Sequence, residues 1–384
     1  MSQLARGIVD LPGVRNRVTA VLDDLDAGKS VVFVFADSAV ESGVADDVLR
    51  EIQGAAAHTE WCLEADKEFP VRVLESFEGS SGDITRYSAW DQIVGWPTWY
   101  GEWLFLTSWE HNDIPTILER WPAQLKVSGL SPEDRPRLVI GATLDAVTPA
   151  MLDRIDTAEV AVQWWWGTVG RLDTELCVAV HEHAKRRDSL DQAVLAELAC
   201  WDVDALDFLS RWWDGSTDTV VPLIAELRRH REEDGDVFTL ASASRSHQFR
   251  PPKELLEGWR QGRIERWGGA PRVGPVDCSE AEVKRRLWIA HSRILMPVVD
   301  DERAKFEDKF NSIATVEMMD RNREKGGGLI EIGILKDLAV RKLVRVPRED
   351  EETLRQLTSL RNRLAHCDPA TDELISFVRK RHEF

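Results

Sequence analysis

Apolar residues recur along this chain with two distinct periods. Val14, Val18, Val21, Leu22 and Leu25 fall at helical spacing and predict an amphipathic helix over residues 14–25. The unbroken apolar run 31–35 follows, and similar runs stand at 103–106, 137–140 and 160–166. Continuous runs of this length predict strands buried on both faces, as in a parallel sheet. Beyond Leu172 the period changes, and helices are predicted at 176–183, 190–198, 203–213 and 220–230. Residues 242–275, rich in Arg, Gly and Pro, read as a connector. Ser279 and Glu282 then form a capping box that opens a long helix, which Pro297 should kink. Gly326, Gly327 and Gly328 separate it from a final stripe of Leu354, Leu357, Leu360 and Leu364. The expected division is an α/β domain at 1–171, a helical lid-like domain at 172–241, the connector, and a helical bundle at 276–384.

Phosphate chemistry is suggested twice in the α/β part and fails both times. Gly28-Lys29-Ser30 precedes its strand, whereas a phosphate loop follows a strand and opens a helix. It reads as a helix-ending turn. The segment 38–45 after the strand has the length of G-x-x-x-x-G-K-[ST], but Ser38 replaces the first Gly, Val44 the Lys and Ala45 the hydroxyl. Glu41, Asp46 and Asp47 add negative charge where phosphates would sit. Thr107 and Ser108 stand where a magnesium-binding Asp would follow the second strand. The part resembles a P-loop NTPase of the AAA+ kind that has lost its phosphate site. That resemblance implies a degenerate P-loop-like α/β domain with a helical lid and no nucleotide cofactor. Glu110 and Arg171 read as ordinary surface groups.

Charge changes the picture of where nucleic acid could bind. The net charge is −18, yet from Ser279 onward 21 basic residues face 20 acidic ones, leaving 28 against 47 in the remainder. Only the C-terminal part can approach a polyanion without a general electrostatic penalty. Six of the 16 tryptophans (Trp90, Trp96, Trp99, Trp103, Trp109 and Trp121) fall in one segment, and Trp164, Trp165 and Trp166 are consecutive. Core positions and a docking face for a protein partner are expected of them. The five cysteines are scattered without a C-x-x-C pair, so reduced thiols, a cytoplasmic location and no zinc site are expected. His181 and His183, two apart on a helix, make a poor metal pair. No apolar run suits a membrane span and no signal-peptide core opens the chain.

The candidate chemistry lies near the C-terminus. Arg361, Asn362 and His366 form an R-N-x-x-x-H pattern on the last leucine-striped helix, which Pro369 helps to end. Asn362 and His366 are four apart and share a face. A guanidinium, an amide and an imidazole at one helix end suit a phosphodiester: the first holds phosphate and the last moves protons.

With the segments 287–297 and 331–338, this motif resembles the HEPN superfamily. The resemblance implies an all-α HEPN-like helical bundle and a two-fold homodimer. In catalytic members it implies metal-independent cleavage of RNA by residues at the positions of Arg361, Asn362 and His366. The expected protein is thus an RNA-targeting effector or regulator of a bacterial conflict system, anti-phage or toxin-type. Its alternative is a non-enzymatic dimerisation and docking scaffold. An active NTPase is disfavoured by Val44 and Ala45, and no glycine-serine with paired aspartates supports a nucleotidyltransferase.

Overall fold

The computed structural model describes residues 5–56, 58–62, 67–231, 249–325 and 328–382. The chain divides into two compact units, one of residues 1–173 with 240–273 and the other of 174–239 with 274–384.

The first unit is built on a five-stranded parallel sheet. Its strands are β1 (Ser30–Val34), β2 (Thr59–Trp61), β3 (Trp103–Thr107), β4 (Arg137–Ala142) and β5 (Val160–Trp164), in the order β2-β3-β4-β1-β5. β1 lies inside the sheet, with Val32 level with Ile140 of β4 and Val162 of β5. Every residue of β1, β3 and β4 is buried, which is why their sequences are apolar except for Ser30, Thr107 and Arg137 at the strand ends. Helices Pro12–Asp26, Val44–Gly54 and Ile114–Ser128 bury apolar stripes in the same unit. Ser30, of the Gly-Lys-Ser tripeptide, is a buried structural hydroxyl. Its Oγ accepts the Trp121 indole N–H at 2.7 Å and the Leu138 N–H at 2.9 Å.

Most tryptophans of the tryptophan-rich segment are core residues. Trp96, Trp99, Trp103 and Trp121 are buried, as are Trp164, Trp165 and Trp166, while Trp90 and Trp109 are half-buried. Phe69 stacks on Trp90 at 5.0 Å between centroids, and Trp99 lies 5.2 Å from Trp121. These large rings fill the space beside the sheet, so most of their apolar area is already removed from water.

Residues 249–273, in the stretch expected as a connector, carry regular structure. The short helix Leu256–Arg260 leads into an antiparallel hairpin of β6 (Ile264–Trp267) and β7 (Ala270–Val273). Gly268 and Gly269, both at positive φ, make its two-residue turn. Trp259 and Trp267 are fully buried.

The described residues of the second unit contain helices and no strand. The long helix Glu280–Asn311 starts at Ser279, whose side chain accepts the Glu282 N–H at 3.2 Å, and runs through Pro297 without a break. Leu295, Val299, Phe306 and Phe310 on it bury against Leu335 and Leu338 of helix Ile332–Val340. The same core takes Leu354, Leu357, Leu360 and Leu364 of the motif helix Arg348–Ala365. Leu190, from helix Ser189–Ala199, belongs to that core too. Arg379 bonds Asp188 at 2.7 Å and Asp191 at 2.6 Å, so lid-like and C-terminal helices share one unit. Gly326 and Gly327 lie outside the described residues.

Candidate functional site

Ligands of open α/β sheets bind beyond the carboxyl ends of the strands. At that edge, β1 is followed by the short helix Asp37–Glu41, and Gly43 at positive φ leads into helix Val44–Gly54. The segment shaped like a phosphate loop therefore begins in a helical turn. Asp37, beyond β1, and Asp145, beyond neighbouring β4, face a single cation. Arg260 Nη1 lies 2.6 Å from Asp37 and 3.1 Å from Asp145, while its Nη2 lies 3.0 Å from Glu257. Burial raises the Asp37 carboxyl above its ordinary range, against the pull of Arg260. The backbone at Gly262 approaches Ser38 so closely that a Cβ there would stand 2.5 Å from Ser38 Oγ. The segment 256–264 thus covers the edge where nucleotide would enter.

The position expected of a magnesium ligand is also occupied by internal bonds. Buried Thr107 donates its hydroxyl to Glu110 at 2.8 Å, and its carbonyl lies 3.1 Å from His111 Nδ1. Ser108 Oγ accepts the Thr143 N–H at 3.0 Å. Glu110 is otherwise exposed, and Arg171 lies over the Trp267 ring at 4.6 Å. Nearby Glu265 is buried, its Oε1 accepting the N–H groups of Gly167 at 2.6 Å and Arg266 at 2.8 Å. Burial pushes its carboxyl up to about 8, against those donors and Arg17. His181 follows helix Arg171–Val180 instead of lying within it, and its Nε2 is 3.0 Å from Asp207. No cluster of potential metal ligands occurs among the described residues.

Arg361, Asn362 and His366 lie together at the C-terminal end of the motif helix. Leu354, Leu357, Leu360 and Leu364 turn inward, leaving Asn362 and His366 exposed and Arg361 half-exposed. Arg361 forms a long pair with Glu331 at 3.4 Å. His366 closes the helix: its N–H reaches Asn362 O at 3.0 Å, and Asp368 N–H returns to Arg363 O at 3.0 Å. Cys367, at φ 61°, takes the left-handed place that glycine usually fills in such a cap. Arg363 Nε donates to Pro369 O at 3.0 Å, Trp288 Nε1 to Leu364 O at 2.6 Å, and Ala370 N–H to His291 Nδ1 at 3.0 Å. Trp288 and His291 both lie in the segment 287–297, and no motif in the sequence marks either one. Their spacing of three, aligning them on one helix face, was the available signal. A separate groove of about 570 Å³ in this unit is lined by Met318, Arg321, Ile334, Leu338, Arg341 and Leu343, not by the motif residues.

The residues thus define a parallel-sheet α/β unit with its ligand edge covered, and a helical unit carrying an exposed Arg-Asn-His cluster. No family model matches the chain, and no curated relative does. Among solved structures it is similar to the RuvB Holliday junction branch migration motor of Thermotoga maritima. Identity is 8%, coverage 73% of this chain and 76% of that one, and the TM-score 0.27. A single-residue variant of that motor matches at 9% identity, 74% and 76% coverage, and the same TM-score. A likeness this loose assigns no function. No helix among the described residues is long and apolar enough to cross a membrane.

Proposed function

We propose that the helical unit is a metal-independent, HEPN-like ribonuclease acting through Arg361, Asn362 and His366, with the α/β unit a regulator that does not turn over nucleotide. The observation that supports this reading is the exposure of His366 and Asn362 beside Arg361 at one helix end. Arg361 is held by a long, solvated pair with Glu331, worth about 1 kcal/mol or less, which a phosphate could replace. In the reaction His366 takes the proton of the RNA 2′-hydroxyl, whose oxygen attacks the adjacent phosphorus. The 5′-oxygen leaves and takes a proton from an imidazolium, that of His366 or of a second copy. Arg361 stabilises the charge on the phosphorane and Asn362 orients the imidazole. The resemblance to HEPN domains implies a homodimer with facing sites, in a bacterial conflict system. Comparing RNA cleavage by the full chain and by His366→Ala in chelator tests the reading, with light scattering for the dimer.

A second reading, a docking scaffold, is favoured by the exposed apolar side chains Ile313, Val316, Leu329 and Leu343 of the same unit. It is preferred if wild-type dimer leaves RNA intact.

A further inference from the structure

We propose that Trp288 and His291 on the long helix are positioning residues that hold the segment bearing His366 in one conformation; this rests on the ribonuclease reading of the site.

His366 is exposed, and among the described residues its ring takes no hydrogen bond, so its place is set by its backbone. That backbone lies in a cap with a conformational cost. Cys367 occupies the left-handed region, which costs a residue with a Cβ about 1 kcal/mol or more. Such a conformation persists only where its surroundings over-determine it. The ties are visible on both sides of His366. Before it, the Trp288 indole N–H donates to Leu364 O at 2.6 Å. After it, the Ala370 N–H donates to His291 Nδ1 at 3.0 Å. Trp288 and His291 are three apart and share one face of the long helix, so a single rigid rod fixes both ends of the segment 364–370. Arg363, donating to Pro369 O, closes the loop from within.

His291 suits this role because its acceptor nitrogen persists at neutral pH. The ring is 1% exposed, and burial pushes its pKa down to about 4. Asp372 pulls upward and Arg379 opposes it, Arg379 itself being paired with Asp188 and Asp191 of helix Ser189–Ala199. With Nδ1 accepting, the proton of the neutral ring sits on Nε2. Neither side chain contacts the reacting atoms; both act through Leu364 and Ala370.

The test compares His291→Phe, which keeps an aromatic ring without the acceptor, with His291→Asn, whose Oδ1 stands near the place of Nδ1. Amide hydrogen exchange at 366–370 is measured in the full chain, alongside steady-state cleavage of single-stranded RNA. Phe should speed exchange at Ala370 at least about 10-fold and lower kcat by about 100-fold with KM within about 2-fold, the signature of lost placement. Asn should restore both most of the way. Unchanged exchange at Ala370 in His291→Phe overturns the proposal. So does faster exchange with kcat intact. If His291→Phe does not fold, Trp288→Phe, which removes the indole N–H tie and keeps an aromatic ring against the core, is held to the same two outcomes at Leu364–His366. A wild type that cleaves no RNA sinks the ribonuclease reading separately. The exchange comparison then still decides whether the tie exists.

Discussion

Arg260 Nη1 stands 2.6 Å from Asp37 Oδ2, so a side chain of this protein fills the sheet edge at which α/β folds bind ligands. Removing it would leave Asp37 and Asp145 facing each other with no cation between them. Arg260→Ala should lower the thermal stability of the chain, because the two carboxylates then repel each other without a counter-charge. Thermal melts check this. Magnesium with ATP or GTP should not raise the melting temperature of the wild type, and a clear rise would contradict the covered edge.

Glu265 gives the α/β unit a definite pH response. Its folded pKa, about 8, is raised above the ordinary 4.5, so the folded state favours the protonated form. The resulting stability is fully present below about pH 4.5 and is lost as pH rises towards 8, on the order of a few kcal/mol. Glu265→Gln keeps an Oε1 for the Gly167 and Arg266 N–H groups and cannot titrate. It should remove this slope and be the more stable protein at pH 8. Melting curves at pH 5, 6.5 and 8 compare the two.

The sheet was largely legible in the sequence, because strands buried on both faces must be continuously apolar. β1, β3, β4 and β5 begin or end within two residues of the runs that predict them. β2 was missed: three residues with exposed Glu60 at the sheet edge offer no period. The hairpin was missed because its glycines and Pro271 resemble a linker, although a Gly-Gly pair is itself a hairpin turn signal. Arg260, Asp37 and Asp145 are far apart in sequence, and only the folded chain brings their charges together.

At the candidate site the helix and its inward leucines could be read directly, whereas its cap could not. A glycine normally announces the left-handed residue after a helix, and here the position holds Cys367. Cys367→Gly should therefore stabilise the helical unit by about 0.5–1 kcal/mol, relief of backbone strain exceeding the entropy gained by the unfolded chain. Thermal denaturation measures it. RNA cleavage should be unchanged, since the thiol has no part in the chemistry.

If Arg361 and His366 cleave RNA without a metal, chelator should leave the activity intact. The most direct measurement is cleavage of single-stranded RNA and DNA in excess chelator, by wild type, Arg361→Ala, Asn362→Ala and His366→Ala. The wild type should cleave RNA and leave DNA, which lacks the 2′-hydroxyl, intact. The Arg361 and His366 variants should each lose about 100-fold or more, and the Asn362 variant less. RNA left whole by the wild-type dimer, or cut equally well by His366→Ala, would contradict the ribonuclease reading.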